Sequence, residues 1–351
     1  MEYPAFLKSA VVAATLALTA TAHAQDADLP SLDSLYEGAK TEGEVAFGGA
    51  IKEEVGQKLL DAFAAKYPGI KVGYTRRSTE PMVQLIEADR LAGKVSFDVI
   101  NVTEPADLVR WRDEGFLAAV PVDDNDKHRE NTFDSGHHYY SLGITPMYGI
   151  YNKGSLKAEE APTELKQLLE DEKWRGKIAI SRPTRGGTNA IALLNLVKLF
   201  GEENVLGKAK ELDVLLTRGN EAAVTSVISG ERPVSWGVSG YRALEARADG
   251  APIELIFWKE GLPMAMFMGA VPDKAPHPNA ARLLLRFLLS EEGQNIIIKD
   301  GNFYSARSDI TTPPGNEKPL SEIPVAIFPA EEVINEGHRL AVKYDEAVGL
   351  R

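Results

Sequence analysis

Glu44-Val45-Ala46-Phe47-Gly48-Gly49 is a short apolar run that ends in two glycines, and together with the next 25 residues it decides the fold. Glu53 to Lys66 places Val55, Leu59, Leu60 and Phe63 on one helical face before Pro68-Gly69 stops it. Ile70-Lys71-Val72-Gly73-Tyr74 then alternates as a second strand. A strand, a helix and a strand at this spacing predict a parallel pair joined by a right-handed crossover.

The same grammar extends in both directions. Leu32 to Glu42 reads as a helix ahead of the unit, and Pro81 to Ala92 and Pro105 to Glu114 as helices after it. Phe97-Asp98-Val99-Ile100-Asn101-Val102 reads as a strand between the last two. Farther on, Gly149 to Asn152, Lys177 to Ile180, Pro233 to Val238 and Ile253 to Phe257 are strand-like. Asn189 to Phe200, Pro278 to Ser290 and Glu291 to Lys299 are helix-like. No short repeat, low-complexity run or loose tether separates the units. The pattern predicts an α/β protein of two lobes with a cleft between them, each lobe a mostly parallel sheet flanked by helices.

Composition narrows the class. A chain of 351 residues, 44% hydrophobic and 26% charged, can bury a large core. Its 39 basic against 51 acidic residues give a net charge of -12, which argues against a nucleic-acid partner or an anionic membrane surface. The absence of cysteine removes disulfides, thiolate metal sites and cysteine nucleophiles. Ser9 to Ala22 is uncharged and mostly apolar, and Ala22-His23-Ala24 has the small-x-small form of a cleavage site. We read residues 1–24 as a signal peptide, which predicts a periplasmic protein.

Function should lie where strands give way to loops. Gly48-Gly49-Ala50 lets a ligand approach bare backbone. Tyr74-Thr75-Arg76-Arg77-Ser78-Thr79 offers two guanidinium groups and several hydroxyls, and Asn101-Val102-Thr103 leaves the third strand. Ser181-Arg182-Pro183-Thr184-Arg185-Gly186-Gly187-Thr188-Asn189 leads into a helix, whose free N–H groups favour an anion. Arginine adds a planar fork suited to carboxylate or phosphonate oxygens. Two arginine-bearing strand exits in one chain point to anion binding.

Other patterns do not carry chemistry. Gly201 to Ala209 mimics a phosphate loop with one spacer residue too many and alanine where a hydroxyl belongs. Gly237-Val238-Ser239-Gly240 lacks the spacing of a nucleophile elbow. Asp123-Asp124-Asn125-Asp126 lacks the glycine and the distal glutamate of a calcium loop. His137-His138-Tyr139-Tyr140 carries donors suited to ferric iron, but neighbouring strand residues face opposite sides and cannot converge without a bulge. An aromatic strand entering the second lobe is the simpler reading. No catalytic set, resident metal or cofactor is expected.

Several segments, in order along the chain, resemble the extracellular solute-binding proteins of bacterial ABC importers, in the branch that takes ferric ion or small organic anions. They are Leu35-Tyr36-Glu37-Gly38-Ala39-Lys40-Thr41-Glu42-Gly43, Phe97-Asp98-Val99, Gly149-Ile150-Tyr151-Asn152-Lys153, Trp174-Arg175-Gly176-Lys177-Ile178 and Ser290-Glu291-Glu292-Gly293-Gln294. The resemblance implies the type II periplasmic-binding-protein fold, a monomer whose hinge strands let two lobes close on a solute, and delivery to an inner-membrane permease. Crossings would fall near Ile144-Thr145, near Met266-Phe267 and after Arg307. Lobe 1 would then comprise 25–144 and 267–308, and lobe 2 145–266 and 309–351.

Ferric members of that family carry adjacent tyrosines where this chain has Ser239-Gly240-Tyr241. One phenol remains beside a glycine, so the iron-gripping pair is not carried over. The expected ligand set is Gly49, Arg76, Arg77, Ser78 and Thr103 from the first lobe. From the second it is Arg185, Gly186, Gly187, Thr188, Ser239 and Tyr241. The expected function is capture of a small anionic solute, a carboxylate or phosphonate, without enzymatic change. A ferric-iron binder using Tyr241 with a bound anion, and an exported enzyme on a similar scaffold, are the alternatives.

Overall fold

The structure is a computed structural model describing residues 29–350 except Glu104, Gly186 and Asn316. The signal-peptide reading and Gly186 therefore lie outside the described residues.

Chain order begins with α1 (Leu32–Glu42), β1 (Glu44–Gly49), α2 (Glu53–Lys66), β2 (Lys71–Arg76), α3 (Thr79–Leu91), β3 (Val99–Val102) and α4 (Pro105–Asp113). The middle holds β4 (Tyr139–Asn152), α5 (Leu165–Glu170), β5 (Ala179–Ser181), α6 (Gly187–Phe200), α7 (Glu202–Ala209), β6 (Leu215–Thr217), α8 (Asn220–Ser229), β7 (Val234–Ser239) and α9 (Gly240–Ala248). Then come β8 (Ile253–Ile256), β9 (Leu262–Ala270), α10 (Pro278–Leu289), α11 (Glu291–Gly301), β10 (Val325–Ala326), α12 (Ala330–Glu332) and α13 (His338–Ala347). The first strand, the first two helices and the last long helix pair fall where periodicity places them.

β1 pairs in parallel with both β2 and β3, as the opening strand–helix–strand unit predicts. Gly56 lets α2 press onto β2, because a Cβ there would come within 2.3 Å of the Tyr74 ring. The apolar face of α2 meets α10: Leu59, Leu60 and Phe63 are buried with Leu284 and Phe287 in one core. A second core gathers Trp174, Trp236 and Trp258 with the apolar side of α6.

The two cores are joined by two strands, of which periodicity marked only the ends of one. β4 is fourteen residues long, and all of it is buried. At about 3.3 Å per residue it reaches roughly 45 Å, enough to serve both lobes. From Tyr139 to Pro146 it pairs with β9, and from Met147 to Asn152 with β7 and β8. β9 is likewise buried throughout and reaches β3 at its far end. These pairings are antiparallel, so the sheet is mixed where the lobes join and parallel where β1, β2 and β3 lie together. An outgoing strand and a returning one that cross side by side must run in opposite senses.

Family-like segments occupy bonding positions in this frame. Asp98 is fully buried and accepts from the amides of Ala46 and His277, each at 2.7 Å, which ties β1 to the start of α10. Ser290 caps α11 through the Gly293 amide. Gln294 is buried, and its amide donates to the Leu142 carbonyl of β4 at 2.8 Å.

Candidate functional site

The carboxyl end of β1 lies beside that of β2, with Gly49 opposite Arg76. The Arg77 amide donates to the Gly49 carbonyl at 3.0 Å, which fixes the loop leaving β2. Arg76, Arg77 and Ser78 are all exposed, with Ser78 at the N-cap of α3. Thr103 is held to that helix, its Oγ1 lying 2.8 Å from Thr79 Oγ1. Asn101 is fully buried and joins the layers. Its Nδ2 donates to the Met268 carbonyl of β9 at 2.9 Å, and its Oδ1 accepts from the Ala50 amide at 3.1 Å.

A small recess opens between the lobes at these strand ends. Ala50, Lys52 and Arg76 line it from the first lobe, and Tyr241 and Arg242 from α9 of the second; Phe267 and Phe303 supply apolar wall. Three cations thus converge from two lobes. Burial alone would lower the Arg242 pKa, but Tyr241, Glu245 and Glu221 outweigh it and hold it above its ordinary value. The Arg242 guanidinium also lies 5.1 Å from the Tyr241 ring centre, a cation–π distance. Across the recess Lys52 forms an ion pair with Glu245.

The second lobe departs from expectation at Ser239. Its side chain is buried, its amide donates to Asn220 Oδ1 at 2.9 Å, and its hydroxyl lies 3.9 Å from the Met147 sulfur. Asn220 in turn donates to Asn189 Oδ1 at 2.8 Å. Through its amide Ser239 fastens β7 to the start of α8, and Asn220 carries the link on to α6. Tyr241 does face the recess. Its amide donates to Thr145 Oγ1 at 3.1 Å, and its ring lies nearly parallel to Phe303 at 5.3 Å and edge-on to Phe267 at 5.6 Å.

The arginine-rich loop after β5 divides by role. Arg182 makes a two-pronged pair with fully buried Asp345, at 3.0 and 2.8 Å, and Thr184 adds a bond to the same carboxylate at 2.9 Å. Those residues anchor the loop to α13. Arg185 follows exposed at the end of a 3-10 turn, and Gly187 and Thr188 open α6. Among the described residues lining the recess with Arg76 and Tyr241, none comes from this loop.

The histidine pair separates as well. His137 Nδ1 lies 2.8 Å from the Tyr140 hydroxyl, whereas His138 Nδ1 lies 2.6 Å from Asp134. Among the described residues, no group of three or more His, Cys, Asp or Glu side chains is placed to hold a metal ion.

Sequence reading passed over Lys52, Arg242, Glu245 and Asn220. Lys52 immediately precedes a helix, and Arg242 and Glu245 sit within one, so no loop composition marks them. Arg242 and Glu245 lie one turn apart on α9, but only the tertiary fold brings Lys52 to Glu245, 193 residues away in the chain.

The profile of the family described as bacterial extracellular solute-binding protein matches residues 97–333. An uncharacterized protein of Haemophilus influenzae is 28% identical over 192 residues, covering 53% of this chain and 55% of that one, so the chain spans about half of that relative's length. A Salmonella typhimurium protein provisionally named as a 2-aminoethylphosphonate-binding periplasmic protein is 26% identical over 292 residues, covering 80% and 79%. Among solved structures, iron-bound HitA from Pseudomonas aeruginosa superposes with a TM-score of 0.74 at 20% identity, over 87% of this chain and 99% of that one. The likeness to HitA is one of fold. With the profile covering well over half of its length, the chain belongs to the bacterial extracellular solute-binding proteins.

Proposed function

We propose that this solute-binding protein captures a small organic anion, a phosphonate or carboxylate, and hands it unchanged to an inner-membrane ABC permease from the periplasm. The observation that carries the reading is the convergence of Lys52, Arg76 and Arg242, drawn from both lobes, on one recess. Guanidinium and ammonium groups beside apolar wall are what a compact anion needs, because charge-assisted bonds strengthen where water is thin. The lobes we propose are 25–144 with 267–308 and 145–266 with 309–351. They would turn about β4 and β9 as hinges, closing donors from two sides on the solute.

Gly49, Arg76, Arg77, Ser78, Thr103 and Tyr241 make up the binding set with Lys52 and Arg242, and Arg185, Gly187 and Thr188 would join on further closure. The kinship with a protein named for 2-aminoethylphosphonate favours phosphonate as the first class to try. Titration calorimetry of the mature chain against 2-aminoethylphosphonate, methylphosphonate, citrate and ferric citrate tests the reading. Micromolar binding of an iron-free anion is the expected result. A visible charge-transfer band with ferric citrate, and no heat from iron-free anions, would replace it with the iron reading.

A further inference from the structure

Glu245 holds two of the three recess cations at once. One carboxylate oxygen pairs with Lys52 from the opposite lobe, and the other lies 3.3 Å from Arg242 Nη1, one turn earlier on α9. Neither Lys52 nor Glu245 is fully in water: their side chains are 32% and 30% exposed. The recess beside them is walled by Val55, Phe267 and Phe303. A carboxylate bridging an ammonium and a guanidinium at the edge of such a recess is the arrangement an anionic solute would itself adopt there. Among the described lining residues Arg76 has no such partner, so a fresh anion meets one free cation and two that are taken.

We infer that Glu245 is a specificity-determining residue that acts as a built-in competitor for the solute's anionic group. In the unliganded protein it occupies Lys52 and Arg242 with its own carboxylate. A solute must displace it, and the gain depends on what replaces it. Exchanging one carboxylate for another returns the same two bonds. A phosphonate brings three oxygens and up to two charges, so it can satisfy Lys52, Arg242 and Arg76 together. The device discriminates by penalising the weaker competitor, and it lowers apparent affinity for every anion by the fraction of molecules whose cations are occupied. The same pair joins the lobes, so a displacing solute inherits the bridge between them. This inference rests on the anion reading above.

The test is Glu245→Gln, which keeps the volume and removes the charge, titrated against acetate, methylphosphonate and 2-aminoethylphosphonate beside the wild type. We expect the variant to bind methylphosphonate about three- to five-fold more tightly, the scale of a partly exposed ion pair. We also expect it to gain acetate binding, so that the preference for phosphonate narrows. Placed in a Lys52→Met background, Glu245→Gln should give a smaller gain than in the wild type, because one of the two cations that Glu245 masks is then gone. Equal or weaker methylphosphonate binding by Glu245→Gln overturns the inference while leaving the anion reading intact. A loss confined to 2-aminoethylphosphonate also overturns it and makes Glu245 the acceptor for the solute's ammonium. Binding of none of the three by either protein overturns the anion reading itself.

Discussion

Tyr241 of the second lobe lies 5.3 Å from Phe303, with ring planes 23° apart, and thereby places an α9 side chain on the first lobe's core. The residue that sequence comparison marked as a lone phenol works here first as an apolar bridge. Its ring closes one side of the recess while the adjacent Arg242 presents charge to it. Tyr241→Ala removes an aromatic contact worth about 0.5–1.5 kcal/mol beyond its buried area. The unliganded protein should open measurably, seen as a larger radius of gyration in small-angle scattering. Tyr241→Phe should leave the radius unchanged, because the contact is made by the ring and not by the hydroxyl.

Gly240 is hemmed in by its own sheet: a Cβ there would lie 2.7 Å from the Pro146 carbonyl oxygen and 2.9 Å from Thr145 Oγ1. A tyrosine pair cannot be rebuilt at this position without moving α9 off β4. Gly240→Ala should cost about 1–3 kcal/mol by overpacking. It should also weaken solute binding by displacing Tyr241 and Arg242; calorimetry together with urea unfolding separates the two effects.

Arg76 and Arg185 looked equivalent in sequence, and the fold sets them apart. Arg76 lines the recess, whereas Arg185 stands exposed on a 3-10 turn. A charge-assisted hydrogen bond contributes about 1.5–3 kcal/mol, so Arg76→Ala should weaken binding of the solute found by screening about 10- to 100-fold. Arg185→Ala should weaken it less than Arg76→Ala does. Equal losses would show that closure carries Arg185 as deep into the site as Arg76.

Asn101 holds Ala50 and Met268 with one side chain, fully buried. Asn101→Ala takes the side-chain donor from the Met268 carbonyl and leaves the Ala50 amide only its bond to the Asn101 carbonyl, at 3.2 Å, and should lower unfolding stability by about 1–3 kcal/mol in urea titration. Because Ala50 lines the recess, affinity should fall as well. Asn101→Asp sets a buried carboxylate oxygen against the Met268 carbonyl and should destabilise at least as much as Asn101→Ala.

His128 gives the protein an acid-sensitive point away from the recess. Burial, aided by nearby Arg307, pushes its pKa down to about 4 from 6.5, and neither ring nitrogen has a hydrogen-bond partner. The folded state therefore resists protonation that the unfolded chain accepts. Between about pH 6.5 and 4 the unfolded chain binds the extra proton, so stability falls as pH falls through that window and is recovered above it. The loss should approach roughly 3 kcal/mol by pH 4. His128→Phe, placed among Phe133 and Tyr140, should flatten the pH dependence of urea unfolding between pH 7 and pH 4.

Much of the frame was legible because periodicity is local. α1, β1 and α2 begin and end where apolar spacing and glycine or proline place them, and α10 and α11 nearly so. Periodicity missed β9, which only the family resemblance marked near Met266-Phe267, because Leu262 to Ala270 is apolar without alternation, as a strand buried on both faces is. β4 was read at its two ends, Tyr139-Tyr140 and Gly149 to Asn152, and its middle was missed for the same reason. The family-like segments were legible for a different cause. Asp98, Ser290 and Gln294 serve bonds that any chain of this fold must make, so they announce the scaffold and say nothing of the solute.

The sequence by itself determined two α/β lobes, an acidic cysteine-free chain, and strand exits carrying arginine and glycine, since each arises from composition or from neighbours within a few residues. Tertiary structure decided which of those exits line the recess. Arg182 shares its loop with Arg185 but is paired with Asp345 from 163 residues away, and the Ser239 amide meets Asn220 from 19 residues away. Arg242 and Glu245 are neighbours on one helix, but Lys52 reaches Glu245 from 193 residues away, and only the fold brings it there. Whether a charged side chain is free for a guest depends on what else lies within about 4 Å, and long-range packing alone sets that distance.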